Sequence, residues 1–108
     1  MDRTLASAAV LFAALGDDTR LTLLRRLSAD GPASITVLAE TLDVTRQGVT
    51  KHLNVLAEAG LIEGRRKGRE HVWSLKADRI AEAQRWLAVI ARGWDDALGR
   101  LKAHIEEG

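Results

Sequence analysis

The sequence predicts a mainly α-helical fold with one small β-hairpin, about five helices and a two-stranded wing. Two observations carry this expectation. Apolar residues recur at helical spacing through most of the 108 residues, and the period shortens to that of strands only after Gly60. Length and composition agree with one domain over 1–108, with 46% hydrophobic and 29% charged residues.

The first helix is expected from about Thr4 to Leu15, with Leu5, Ala8, Ala9, Phe12 and Leu15 on one face. Gly16 breaks the pattern, and Asp17 or Asp18 can cap the next helix. That second helix runs to about Ser28, with Leu21, Leu24 and Leu27 inward and Arg25 and Arg26 largely outward. Asp30-Gly31-Pro32 then forms a turn, because glycine permits positive φ while proline fixes φ and removes a donor.

Ser34 can cap a third helix, Ile35 to Leu42, whose Ile35, Leu38, Ala39 and Leu42 point one way. After Asp43-Val44, Thr45 can cap a fourth helix from Arg46 to about Ala59, with Val49, Leu53 and Leu56 as its buried stripe. Two short helices joined by three residues make a helix-turn-helix. Gly60 stands where a helix C-terminus favours a left-handed residue. Leu61–Arg66 and Arg69–Leu75 read as two strands around Lys67-Gly68, a hairpin wing. Helical spacing returns from Ala77 to about Glu106. There Ile80, Leu87, Trp94 and Leu101 recur every seven residues, with Gln84, Ala91, Leu98 and Ile105 four positions on. Some 28 helical residues span about 42 Å. Such a helix overhangs a small domain and calls for a partner surface.

The net charge of +1 hides a local imbalance. Residues 1–44 carry a net −2 and residues 76–108 zero, whereas residues 45–75 carry +3. Positive charge therefore gathers on the fourth helix and the hairpin, the footprint of a polyanionic partner. The polar face of the helix carries Arg46, Gln47, Thr50, Lys51 and Asn54. Arg and Lys donate to guanine, Gln and Asn pair with adenine, and Thr bonds a base or touches a thymine methyl. A solvated amphipathic helix shows a similar face, so the hairpin tip is what tips the balance. Its Arg65, Arg66, Lys67 and Arg69 are suited to phosphates or a minor groove beside a docked helix. Gly48 weakens an exposed helix by about 1 kcal/mol against alanine. Close approach of its backbone to another surface, DNA included, would explain it.

Several function classes are excluded. Without cysteine there is no disulfide, thiolate metal site or thiol nucleophile. No glycine-rich phosphate loop follows a strand, and no histidine clusters with carboxylates, so an enzyme is not expected. No cofactor is expected either. The start MDRTLASAAVLFAALGDD is apolar only to about Leu15 and contains Asp2 and Asp17. It is too short to span a bilayer and lacks a signal-peptide layout, which predicts a cytoplasmic protein with no membrane partner.

The run from Asp18 to Leu75, with DTRLTLLRRL, TRQGVTKHLNVLAEAGLI and GRRKGREHVWSL, resembles the ArsR family of winged-helix repressors. The resemblance implies a winged helix-turn-helix and a homodimer built by the terminal helices. It carries double-stranded DNA contacts onto Arg46, Gln47, Thr50 and Lys51, and wing contacts onto Arg65, Arg66, Lys67 and Arg69; Thr45 and Asn54 complete the expected DNA-binding residues. Trp94, Asp95, Leu98, Arg100 and Leu101 fit the end of the last helix in one subgroup. The expected dimer interface comprises Leu5, Phe12, Leu87, Trp94, Leu98 and Leu101. Pairing about a two-fold axis would set two reading helices roughly 34 Å apart on a palindromic operator.

Metal sensing is where the sequence departs from that family's best-known members. Ser34 and Thr36 stand at their cysteine box, poor ligands for soft metals, and His104 is the single histidine of the last helix. His52 and His71 belong to the reading helix and wing, as surface or packing residues. No metal site is expected, which leaves a small-molecule effector or none. Trp73, Trp86 and Trp94 read as core or interface anchors rather than a ligand cage. The competing reading is a winged-helix module that binds a protein and not DNA. A basic wing beside a polar helix face argues against it, since that role needs an exposed apolar patch there.

Overall fold

The computed structural model describes residues 3–107. Its elements are α1 (Arg3–Leu15), α2 (Asp18–Asp30), β1 (Ala33–Ser34), α3 (Ile35–Glu40), α4 (Arg46–Glu58), β2 (Ile62–Lys67), β3 (Glu70–Leu75) and α5 (Ala77–Glu107). The five helices match the sequence expectation, and the hairpin gains a third strand. The sheet order is β1-β3-β2, antiparallel throughout, with Ala33 opposite Trp73 and Ser34 opposite Val72. Two paired residues are too few to show a strand period, which is why β1 left no trace in the sequence pattern.

Local chemistry sets the helix boundaries. Asp17 caps α2 by accepting from the Arg20 N–H at 3.0 Å. Gly31, at φ 82°, ends that helix two residues later than Ser28. Ser34 accepts from the Val37 N–H at 3.3 Å and starts α3, which closes at Glu40 rather than Leu42. The connection to α4 is correspondingly longer than three residues. Thr45 caps α4 by accepting from the Gly48 N–H at 3.0 Å. At the other end the Gly60 N–H donates to Ala57 and the Leu61 N–H to Leu56. These are the paired bonds of a Schellman stop, with Gly60 at φ +77°. In the hairpin Lys67 is still paired, opposite Glu70, so the turn is Gly68-Arg69 rather than Lys67-Gly68. Only Gly68 there has positive φ, as in a turn with glycine first.

The core is contiguous: Leu11 and Ala14 from α1, Leu23, Leu24 and Leu27 from α2, and Leu38 from α3 meet Val49, Leu53 and Leu56 from α4. Leu61, Ile62 and Trp73 close it from the wing, and Ala83 from α5. The α4 stripe is the one expected. On α2 the buried partner of Leu24 and Leu27 is Leu23, and Leu21 faces out. On α1 the chain buries Ala8, Leu11 and Ala14, half-buries Phe12 and Leu15, and leaves Leu5 and Ala9 exposed. Helix α5 packs Ile80 and Ala83 on this core and then runs outward, giving the molecule a 69 Å long axis against 30 and 20 Å. Among the described residues no helix is long and apolar enough to cross a membrane.

Candidate nucleic-acid interface

Burial of Val49, Leu53 and Leu56 fixes how α4 is rotated, and its opposite face is consequently open. Arg46, Gln47, Lys51 and Asn54 are exposed there, within two turns of one another. Among the described residues no carboxylate pairs with Arg46 or Lys51, so both cations are free for an anionic partner. Thr50 is half-buried, and its hydroxyl donates to the Arg46 carbonyl at 2.9 Å. It therefore offers its oxygen as an acceptor and its methyl, but not its proton. Thr45 has its side-chain oxygen engaged in the helix cap.

The wing does not gather its four cations on one surface. Strand pleating alternates side chains, so Arg65 and Lys67 lie on the face of Val72, while Arg66 lies opposite His71 and Arg69 sits in the turn. Arg65 is 80% exposed and lies 3.5 Å from Glu63, a loose surface pair. On the other face His71 stacks on buried Trp73, ring centroids 4.5 Å apart. His71 is an exposed residue of the wing surface and Trp73 a core residue beneath it, in line with the expectation for each. Trp86 is half-buried and Trp94 exposed on α5.

Gly48 has a different explanation from the close approach of DNA. A Cβ at this position would meet Val44 Cγ1 at 2.6 Å and Thr45 Oγ1 at 3.2 Å. The backbone is close to its own turn, and the glycine is needed inside the chain.

Two residues near the interface, Arg20 and Arg79, left no signal in the sequence. Arg20 donates to the Ala14 carbonyl at 2.7 Å and the Ala13 carbonyl at 3.2 Å. Its Nη1 lies 3.3 Å from Nδ1 of His52, one residue beyond Lys51 on α4. Asp17 stands 3.7 Å from the same ring nitrogen. The Arg20 N–H holds the Asp17 carboxyl below its ordinary 3.8, reinforced by the charges of Arg20 and His52 and opposed by desolvation. Arg79, in the first turn of α5, donates to the Ala59 carbonyl at 3.1 Å and the Ser7 carbonyl at 3.3 Å, and pairs with Glu82. Contacts to main-chain carbonyls leave no pattern in a sequence. Among the described residues no three histidine, aspartate or glutamate side chains are grouped so as to hold a metal ion.

A helix-turn-helix with a free basic and amide face, flanked by a cationic hairpin, defines a DNA-binding regulator of transcription. The comparisons give the same class. Residues 15–65 match the family model of a helix-turn-helix domain. The chain is 32% identical over 75 residues to an uncharacterized HTH-type transcriptional regulator of Methanocaldococcus jannaschii, covering 69% of this chain and 84% of that one. It is 29% identical to the transcriptional repressor SdpR of Bacillus subtilis, over 71% of this chain and 84% of that one. Among solved structures, an ArsR-like transcriptional regulator from Rhodococcus sp. RHA1 superposes with a TM-score of 0.79 at 37% identity, covering 92% of each chain. The chain belongs to the ArsR family of winged helix-turn-helix transcriptional regulators.

Proposed function

We propose that this regulator is a cytoplasmic, homodimeric repressor, one winged-helix domain with dimerisation helices at both ends, and not an enzyme. It reads a palindromic operator with Arg46, Gln47, Thr50, Lys51 and Asn54 of α4, while Thr45 fixes the start of that helix. Arg65, Arg66, Lys67 and Arg69 hold the flanking backbone. The observation that carries the reading is the unpaired, exposed cation and amide face of α4, set by the burial of Val49, Leu53 and Leu56 behind it. Base-edge donors specify and phosphate contacts position. The wing's two-faced charge suits a hairpin that enters or straddles a groove edge, each face meeting one phosphate strand. The name of SdpR supports repression, which blocks a promoter by occupancy. A small-molecule effector is compatible with this reading.

Arg46→Ala and Arg65→Ala separate the two roles on an operator selected from random duplex. Loss of Arg46 relaxes base preference. Loss of Arg65 weakens all sequences alike and lowers the salt slope by about one. Wild-type binding by both variants across a salt titration would refute the assignment.

A further inference from the structure

We propose that Arg20 and Arg79 are positioning residues for DNA reading, which tie the reading helix to the chain's two outward apolar helices. The inference rests on the reading role assigned to α4. Each guanidinium bridges α1 and α4, and the two do so at different levels. Arg20 reaches across from α2 to the carbonyls of Ala14 and Ala13 at the end of α1, the latter also bonded by the Gly16 N–H, and touches His52 midway along α4. Arg79 reaches from α5 to Ala59 at the C-terminus of α4 and to Ser7 in the middle of α1. Gly60 makes room for this, since a Cβ there would meet Arg79 Cγ at 3.2 Å.

The placement has a consequence for recognition. Leu5 and Val10 of α1 and the stripe of α5 are exposed, so these helices form the surface available to a second copy. The angle of α4 to that surface fixes where two reading helices fall along a duplex. Apolar packing through Val49, Leu53 and Leu56 sets which face of α4 is buried but defines its tilt against α1 and α5 less closely. Two directional bonds at separated points define its orientation. Cutting one leaves a folded protein whose base-edge donors are misaimed, while phosphate contacts tolerate the error.

The test measures affinity for the selected operator and for a scrambled duplex, with wild type, Arg20→Gln, Arg79→Gln, His52→Leu and His52→Asn. Each variant is used below its own unfolding transition. Arg20→Gln, Arg79→Gln and His52→Leu should lose about tenfold in operator affinity with less than about twofold change on scrambled duplex. His52→Asn keeps an acceptor near the position of Nδ1 and should retain wild-type discrimination. His52→Leu leaves both arginines and their carbonyl bonds intact, so it decides the matter even if an arginine variant fails to fold. Parallel loss on both duplexes, unchanged discrimination in all variants, or equal loss in His52→Leu and His52→Asn would overturn the proposal. A wild type that does not discriminate at all is a separate signature. It would overturn the reading role of α4 and this proposal with it.

Discussion

Val44 occupies the space a side chain on Gly48 would need: a Cβ built there meets Val44 Cγ1 at 2.6 Å. On an exposed helix, glycine to alanine stabilises by about 1 kcal/mol. Here the sign reverses. Val44 packs against the core and, being β-branched, has little freedom to turn aside. Gly48→Ala should destabilise by about 1–3 kcal/mol, the usual cost of overpacking. Adding Val44→Ala should recover part of that loss. Thermal unfolding of the two single variants and the double variant checks it, and additive losses would refute the contact.

Asp17 makes stability depend on acid. Its folded-state pKa is held below 3.8, chiefly by the Arg20 N–H. A depressed carboxylate pKa contributes stability that is complete above the unfolded value and is lost as pH falls through the folded one. The wild type should therefore lose this contribution below about pH 3.8. Asparagine is an equally good helix cap without a charge to titrate. Asp17→Asn should remain close to wild type at neutral pH and show a flatter decline in acid. Urea midpoints against pH test this, and parallel curves would show that Asp17 does not carry the effect.

How much the sequence told varies with how many registers it allowed. On α4 the apolar residues fall at one spacing, Val49, Leu53 and Leu56, so both the buried stripe and the open polar face were legible. On α2, Leu21, Leu23, Leu24 and Leu27 permit more than one stripe. The register that buries Leu23 was decided by packing against β3, α4 and α1 rather than by period. Helix α1 is apolar almost all round between Ala8 and Leu15, and pattern alone could not choose Leu11 over Ala9. The cation count of the wing was legible, but its division between two faces required the register of β2 against β3. Arg20 and Arg79 were invisible because their partners are carbonyls, which every residue has.

Metal should not govern operator binding. The motive is the absence of cysteine and the lone histidine of α5, His104. Zinc titrated into the protein–operator complex should leave affinity unchanged. A stoichiometric zinc site that shifts operator affinity would disprove this.

Leu87, Trp94 and Leu101 recur at heptad spacing on α5, and Leu98 and Ile105 lie four positions beyond the latter two. All five are between 45% and 68% exposed, on a helix that runs away from its own core instead of folding back on it. Leu5 extends the apolar surface on α1, at 49% exposed, whereas Phe12 is half-committed to the core of its own chain and should contribute less. In a two-fold interface every residue is buried twice. Leu98 is 45% exposed before association, so at about 1.5–3 kcal/mol for a leucine taken fully from water its two copies contribute about 1–3 kcal/mol. Leu98→Lys forfeits that and adds two buried charges, so the dimer should dissociate at least about a hundredfold more readily. The helix content of each monomer should change little, because Leu98 touches none of the buried core. Operator affinity should fall in step with dimer dissociation, although no DNA-facing residue has been altered. Sedimentation at micromolar concentration decides the matter: a wild-type monomer that still binds the operator tightly would defeat the dimer.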